Sequence, residues 1–288
     1  MTATIIDGRA AAQRVRAEVA RDVEALVGES GRRPGLATIL VGDDPASEVY
    51  VRNKRRVSEE VGIADHHRQL SAEATQAEVA GVIDECNADP DVSGILLQLP
   101  VPEGLEGATL TARIAPEKDV DGLTPVSAGR LLQNTSGLRP CTPLGILELL
   151  DAHGVALEGT EVAIVGRSNL VGRPVAMMLQ HRNATVTMCH SRTRDLAAIC
   201  ARADVLVAAV GVPRLIGPDY VKRGAAVIDV GINRTEDGLV GDVDFDPVSE
   251  RAGLITPVPG GVGPMTPAML LRNTVQAARA QVGQSGQA

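Results

Sequence analysis

EVAIVGRSNLVGRPVA, residues 161–176, decides how the rest of the chain is read. Glu161 to Val165 reads as a strand running into Gly166, and a second glycine, Gly172, follows six residues on at the start of a helix. Glycine lets a backbone approach a pyrophosphate, and a helix N-terminus offers free N–H groups and a positive dipole end. The loop is GRSxxxG rather than GxGxxG, with Ser168 where the common fingerprint has its second glycine. An ordinary tight turn has the same outline; the strand–loop–helix context favours a nucleotide loop.

Moving outward, the next strand ends in CHSRTRD, residues 189–195. NAD-binding units usually carry an acid here to hold the ribose 2′-hydroxyl. The strand tip instead has His190, Ser191, Arg192, Thr193 and Arg194, groups that suit a 2′-phosphate, and Arg167 could lean on the same phosphate. NADP is therefore the expected cofactor, with a solvated basic turn as the alternative.

The same alternation of strand and helix fills the chain. GLATILVG is a short apolar run ending in glycine, and Asp44 and Pro45 then look like the N-cap and first residue of a helix through ASEVYVRNKRRVSEEVG. ADHHRQL is a weaker strand, ATQAEVAGVIDECNAD a helix, and VSGILLQLPVP a strong strand stopped by prolines. Residues 103–140 are loop-rich, and a second alternation follows. The expected fold class is α/β with two lobes, parallel sheets and helices on both faces. Residues 1–140 form an N-terminal catalytic lobe completed by a final helix at about 266–282; residues 141–265 form a Rossmann-type NADP-binding lobe, with the active-site cleft between the lobes. GQSGQA, from 283, is read as a disordered tail.

Bulk properties exclude several classes. The formal net charge of −8 argues against nucleic acid as a partner. No apolar run approaches bilayer-spanning length. MTATIIDGRAAAQRVRAEV lacks the apolar h-region of a signal peptide, so the expected location is cytoplasmic. Cys86, Cys141, Cys189 and Cys200 lie far apart with no CxxC, and His66 and His67 would point to opposite faces of a strand, so no metal is expected.

The first lobe carries its own candidates. Only two tyrosines, one phenylalanine and no tryptophan are present, yet Tyr50 stands four residues before Lys54, on one helix face with Ser47. A half-buried tyrosine beside a snorkelling lysine is the bland alternative. Gln98 interrupts the apolar strand GILLQLPVP and needs a partner if buried. KDVDGLTP places Asp119 and Asp121 beside Gly122, and TPVPGGVGPMTP could lay backbone groups against a flat ligand. Ligands gather at the carboxyl ends of strands in open α/β sheets, where Gln98, Asp121 and the Tyr50/Lys54 helix could meet.

YVRNK, GILLQLPVP, KDVDG, GRSNLVGRP, CHSRT and PGGVGPMT, in this order and spacing, closely resemble the bifunctional methylenetetrahydrofolate dehydrogenase/methenyltetrahydrofolate cyclohydrolase family, over about residues 4–280. The resemblance implies NADP-dependent oxidation of 5,10-methylenetetrahydrofolate and hydrolysis of the methenyl product to 10-formyltetrahydrofolate in the same cleft. It implies tetrahydrofolate one-carbon derivatives as the substrate partners and a homodimer. It makes Lys54 the catalytic lysine, Tyr50 a neighbour of the folate rings, Gln98 the residue that holds the lysine, and Asp121 a partner of the pterin. Gly166, Arg167, Ser168 and Gly172 match the phosphate loop, Ser191 and Arg192 the ribose-phosphate region, and Ile232 a residue near the nicotinamide. Pro259, Gly260 and Gly261 belong to a loop closing over folate and cofactor. Hydrolysis needs a group to take a proton from water and one to hand a proton to the departing nitrogen; an amine of lowered pKa can help with both, and partial burial and the neighbouring Arg52, Arg55 and Arg56 would push Lys54 that way. Arg55-Arg56 stands where the family often has lysine. Competing readings are a monofunctional dehydrogenase of this family, a two-lobed NADP dehydrogenase resembling shikimate dehydrogenase, and a non-catalytic NADP or folate binder.

Overall fold

The computed structural model describes residues 2–236 and 238–285. The chain divides into two compact units: Arg14–Cys141 with the chain from Pro267 onward, and residues up to Gln13 with Thr142–Thr266. Among the described residues no helix is long and apolar enough to cross a membrane.

The first unit is built on the strand Gly35–Val41, buried along its whole length. A strand covered on both faces loses the alternation of apolar and polar residues, which is why GLATILV is apolar apart from Thr38, whose hydroxyl has a partner in His67. It pairs in parallel with Gly94–Leu97, Ala64–Asp65 and Arg68–Leu70. On one face Ala37, Ile39, Val41, Ile95 and Leu97 pack with Val79, Ile83 and Cys86 of the helix Gln76–Ala88. Each buried Val, Leu or Ile contributes about 1.5–3 kcal/mol. ADHHRQL is not one strand: it breaks at His66–His67, where His67 Nδ1 lies 2.9 Å from both the hydroxyl and the carbonyl of Thr38.

Helix Pro45–Glu60 starts as its sequence suggests, with Pro45 in the first turn and the Asp44 carboxylate accepting from Ser47 N at 2.8 Å. The last helix runs Met265–Ser285. From Pro267 on it belongs to the first unit, where Arg272 meets Glu18 at 3.0 Å and Arg279 meets Asp22 at 2.7 Å. The tail read as disordered from 283 is therefore helical through Ser285, and residues 286–288 lie outside the described residues.

The second unit holds a parallel six-stranded sheet in the order Thr4–Ile5, Leu254–Ile255, Ala226–Asp229, Val205–Ala208, Glu161–Val165, Thr185–Cys189. Residues 1–13 were assigned to the other lobe; Thr4 and Ile5 instead pair with Leu254 and Ile255 at this sheet's edge. The chain leaves Glu161–Val165 for one side of the sheet and then returns to Val205–Ala208 on the other. In open α/β sheets ligands bind at such a reversal, outside the carboxyl ends of the two strands.

Candidate active site

In the first unit, three of the singled-out side chains converge. Lys54, in the helix Pro45–Glu60, donates from Nζ to Gln98 Oε1 at 3.0 Å. Gln98 lies just past the strand Gly94–Leu97 rather than within it, and two further bonds orient it: its backbone N–H donates to Ile39 O at 2.9 Å and its Nε2 to Leu99 O at 2.6 Å. Asp121 is close enough to Lys54 for each charge to shift the other.

Burial controls the ionisation of both groups. Lys54 is pushed below the usual lysine range by desolvation, against the pull of Asp121 and then Cys141. Burial raises Asp121 in turn, opposed by Lys54 and by a hydrogen bond from the Cys141 thiol. Each group is thus driven toward its neutral form while its partner resists. The arginines play no such part. Arg55 pairs with Asp65 at 2.6 Å, Arg56 with Glu60, and Arg52 lies 3.9 Å from Glu48. The expectation that they lower the Lys54 pKa is replaced by desolvation alone.

Asp119 and Asp121 have different jobs. Asp119 is fully buried and accepts from Leu123 N at 3.1 Å and Thr124 N at 2.8 Å, which shapes the loop. Gly122, at φ +67°, lets that loop press on Arg139–Pro140, where a Cβ would come within 2.5 Å of backbone. Asn273 of the last helix clamps the arrangement by donating from Nδ2 to Val120 O and Arg139 O, both at 2.8 Å. Two contributors have no signal in the sequence: Asn273 and Cys141. Cys141 Sγ lies 3.2 Å from Val120 O and also meets Asp121, so its one proton is shared between them, and burial holds the thiol well above the usual range. Tyr50 is 48% exposed, one turn before Lys54, whereas Ser47 is buried and does not share that exposed side.

In the second unit, Gly166 (φ +128°) and Gly172 allow a very close approach. A Cβ on Gly166 would meet Ala209 O at 2.1 Å, and one on Gly172 would meet Gly166 O at 2.3 Å. Ser168 Oγ accepts from Val171 N at 3.2 Å and Gly172 N at 3.4 Å, at the start of helix Gly172–Gln180. The turn after Cys189 is held by Thr193 Oγ1 accepting from His190 N at 2.9 Å and by His190 Nδ1 accepting from Arg192 N at 3.2 Å, while Ser191, Arg192 and Arg194 are exposed. Leu170, Val212 and Ile232, each following a strand of this sheet, are about half exposed at 51%, 45% and 50%. Pro259, Gly260 and Gly261 lie in a loop where Gly261 N donates to Pro257 O at 2.8 Å.

Family models for tetrahydrofolate dehydrogenase/cyclohydrolase match both parts, the catalytic domain over residues 6–121 and the NAD(P)-binding domain over residues 140–282. The chain belongs to this family. Within the tetrahydrofolate dehydrogenase/cyclohydrolase family it is similar to the Frankia alni protein named Bifunctional protein FolD 2, at 66% identity over 280 residues covering 97% of each chain. A solved structure of the bifunctional enzyme from Campylobacter jejuni is similar at a TM-score of 0.94 and 46% identity, covering 96% of this chain and 99% of that one. The Trypanosoma brucei N5,N10-methylenetetrahydrofolate dehydrogenase-cyclohydrolase, solved with NADP and an inhibitor, is similar at a TM-score of 0.91 and 39% identity over the whole of both chains.

The second unit's own geometry fits the dinucleotide of this family. At Gly166 and Gly172 the room a Cβ would need is taken by the carbonyls of Ala209 and Gly166, so the two glycines draw the loop tight against the start of helix Gly172–Gln180, the end of a helix that suits a phosphate. The strand Thr185–Cys189 ends without an acid, and the exposed hydroxyl and guanidiniums that follow suit a phosphate on the ribose. The half-exposed Leu170, Val212 and Ile232 give apolar surface for flat rings.

Proposed function

We propose that this protein oxidises 5,10-methylenetetrahydrofolate to the methenyl form with NADP and then hydrolyses the methenyl group to 10-formyltetrahydrofolate, Lys54 serving the hydrolysis. The observation that carries the second activity is the Lys54–Gln98 hydrogen bond on a lysine whose pKa is lowered by burial. A lysine in water is almost wholly protonated near neutrality and cannot act as a base. Desolvation raises the fraction of free amine, and Gln98 fixes where its lone pair can point.

In this reading water attacks the methenyl carbon and gives a proton to neutral Lys54. The ammonium so formed returns a proton to N5 as the N5–carbon bond breaks. Loss of the remaining hydroxyl proton leaves the formyl group on N10, with one proton released overall. Gln98 keeps Nζ oriented, Asp121 accepts hydrogen bonds from the pterin, and Tyr50 offers its exposed ring to the folate. When bound, NADP supplies the acceptor for the hydride of the methylene carbon. Gly166, Arg167, Ser168 and Gly172 hold its pyrophosphate, Ser191 and Arg192 its 2′-phosphate, and Ile232 its nicotinamide. Pro259, Gly260 and Gly261 line the folate. The oxidation asks the protein for alignment rather than for an acid or base.

The same reading gives the first unit, with the last helix, the folate and the hydrolytic chemistry, and gives the second unit the cofactor. It takes the protein as a cytoplasmic homodimer, on the habit of the family, which sedimentation of the purified chain would check. The enzymatic test is a paired assay. Purified protein is given 5,10-methylenetetrahydrofolate with NADP, and in a second cuvette methenyltetrahydrofolate alone. Reduced cofactor in the first, and decay above the uncatalysed rate in the second, are expected. Silence in both overturns the proposal; reduction without hydrolysis removes its second half.

A further inference from the structure

Two buried carboxylates in the second unit serve neither the sheet's core nor the chemistry described so far. Asp242 is fully buried and Asp229 nearly so. Asp242 Oδ2 accepts from Val210 N at 2.6 Å and Gly211 N at 2.9 Å, and its Oδ1 accepts from Asn233 Nδ2 at 2.9 Å. Asp229 Oδ1 accepts from Gly231 N and from Asp242 N, both at 2.9 Å, and its Oδ2 from Val243 N at 3.0 Å. The pair therefore ties together residues 210–211, 231–233 and 242–243.

The contact is too tight for side chains. A Cβ on Gly231 would stand 2.3 Å from Asp242 Oδ1, and one on Gly241 would stand 1.8 Å from Asp229 Oδ2. Asn233 opens the antiparallel ribbon Asn233–Thr235/Gly238–Val240 and Asp242 follows it, where the amides of Asp242 and Val243 bond back to Asp229 at the end of its strand. Burying two neighbouring carboxylates is costly unless each is well hydrogen-bonded, and here every oxygen has at least one donor. The loops so held end in Val212 and Ile232, the half-exposed apolar residues that follow strands Val205–Ala208 and Ala226–Asp229.

We propose that Asp242, seated on Asp229, is a positioning residue for the nicotinamide half of the dinucleotide: it fixes the 210–212 and 231–233 loops so that Val212 and Ile232 present a rigid apolar face. This rests on the NADP reading above. The adenosine half is held elsewhere, by the 190–194 turn, whose hydrogen bonds are made within the turn itself. The two halves are thus separable by experiment.

The probes are NADP and 2′,5′-ADP, which keeps the ribose phosphate and lacks the nicotinamide. Binding of each is measured by calorimetry to the full-length protein and to Asp242→Ala and Asp242→Asn. In Asp242→Ala the amides of Val210 and Gly211 lose their acceptor, and NADP should bind about tenfold or more weakly, while 2′,5′-ADP binds within about twofold of the parent. Asp242→Asn retains one oxygen for both amides, and its NH2 can meet Asn233 turned end for end, so NADP affinity should return to near the parent value. Equal loss of both ligands in Asp242→Ala would mean general loosening of the unit and would overturn the proposal. So would NADP binding unchanged in Asp242→Ala, or as weak in Asp242→Asn as in Asp242→Ala. If the parent protein bound neither probe, the NADP reading itself would fail, a result distinct from all of these.

Discussion

Replacing Gly172 by alanine should separate the two activities. An ideal Cβ at this position would lie 2.3 Å from Gly166 O, 2.7 Å from Gly166 C and 2.9 Å from Arg167 Cα. All three are backbone atoms, so no side-chain rotation relieves the overlap. Restoring ordinary contact needs a separation of about 3.4 Å, so the helix start and the glycine loop must part by roughly 1 Å. Overpacking of this kind costs about 1–3 kcal/mol. Ser168 Oγ holds the amides of Val171 and Gly172 at 3.2 and 3.4 Å, so the same movement breaks both bonds. If that strain falls on the bound state, the NADP dissociation constant rises by about 10- to 100-fold. Methenyl hydrolysis should persist, because Lys54, Gln98 and Asp121 belong to the other unit and need no cofactor. Gly28→Ala is the control: nothing lies within 4 Å of its Cβ position in helix Gly8–Ser30, and the change should stabilise by about 0.5–1 kcal/mol. Calorimetry for NADP and a stopped assay for hydrolysis read the two arms. Wild-type NADP affinity in Gly172→Ala would refute the argument.

Other expectations follow from charge. Arg192→Ala should weaken NADP by about tenfold or more and leave NAD nearly untouched, and equal losses in steady-state KM for the two cofactors would contradict the 2′-phosphate assignment. Asp121 pulls the Lys54 pKa up, so Asp121→Asn should let it fall further. At saturating substrate, the rise of hydrolysis rate with pH should then begin at lower pH; a midpoint that stays put or moves up would reject the coupling. Asp229 is pushed up to about 6, first by burial and last by the charge of Asp242, with three backbone N–H donors opposing. Its folded pKa is above its unfolded value, so the native state binds the extra proton, and stability falls as pH rises from about 4 to about 6. The full change is about 3 kcal/mol, of which about 2 kcal/mol lies between roughly pH 4.5 and 6.5. Urea unfolding of wild type and Asp229→Asn across that window should diverge by this amount, and a constant difference would argue against a buried, ionising Asp229.

The fold was legible because buried parallel strands announce themselves. Val205–Ala208 is an unbroken apolar run, and Gly35–Val41 is apolar but for Thr38. The glycine loop at 166–172 was legible for a local reason, since strand, turn and helix start are adjacent in sequence. What escaped the reading is non-local. Thr4–Ile5 is two residues long, too short for any periodicity, and finds its partner at Leu254–Ile255. Gln98 was placed inside a strand because the apolar run continues past Leu97, but ladder pairing stops there and its amide turns to Lys54 and Leu99. Nothing in the spacing of Cys141 or Asn273 relates them to Asp121; the last helix brings Asn273 in from more than a hundred residues away. The charge on Arg52 and Arg56 was overrated although Glu48 and Glu60 stand four residues from each, an ion-pair spacing visible in the sequence. The partner of Arg55, Asp65, lies beyond the helix, where the sequence offers no such cue.

The most direct test of the central claim is Lys54→Met measured in both assays. Methionine is close in length to lysine but carries no amine, so proton transfer ends while the bulk of the side chain remains. The account expects methenyl hydrolysis to fall by about a hundredfold or more, with folate KM and NADP-linked oxidation much less affected. If hydrolysis survives unchanged, the buried amine beside Gln98 is not its base, and the assignment of Lys54 is wrong.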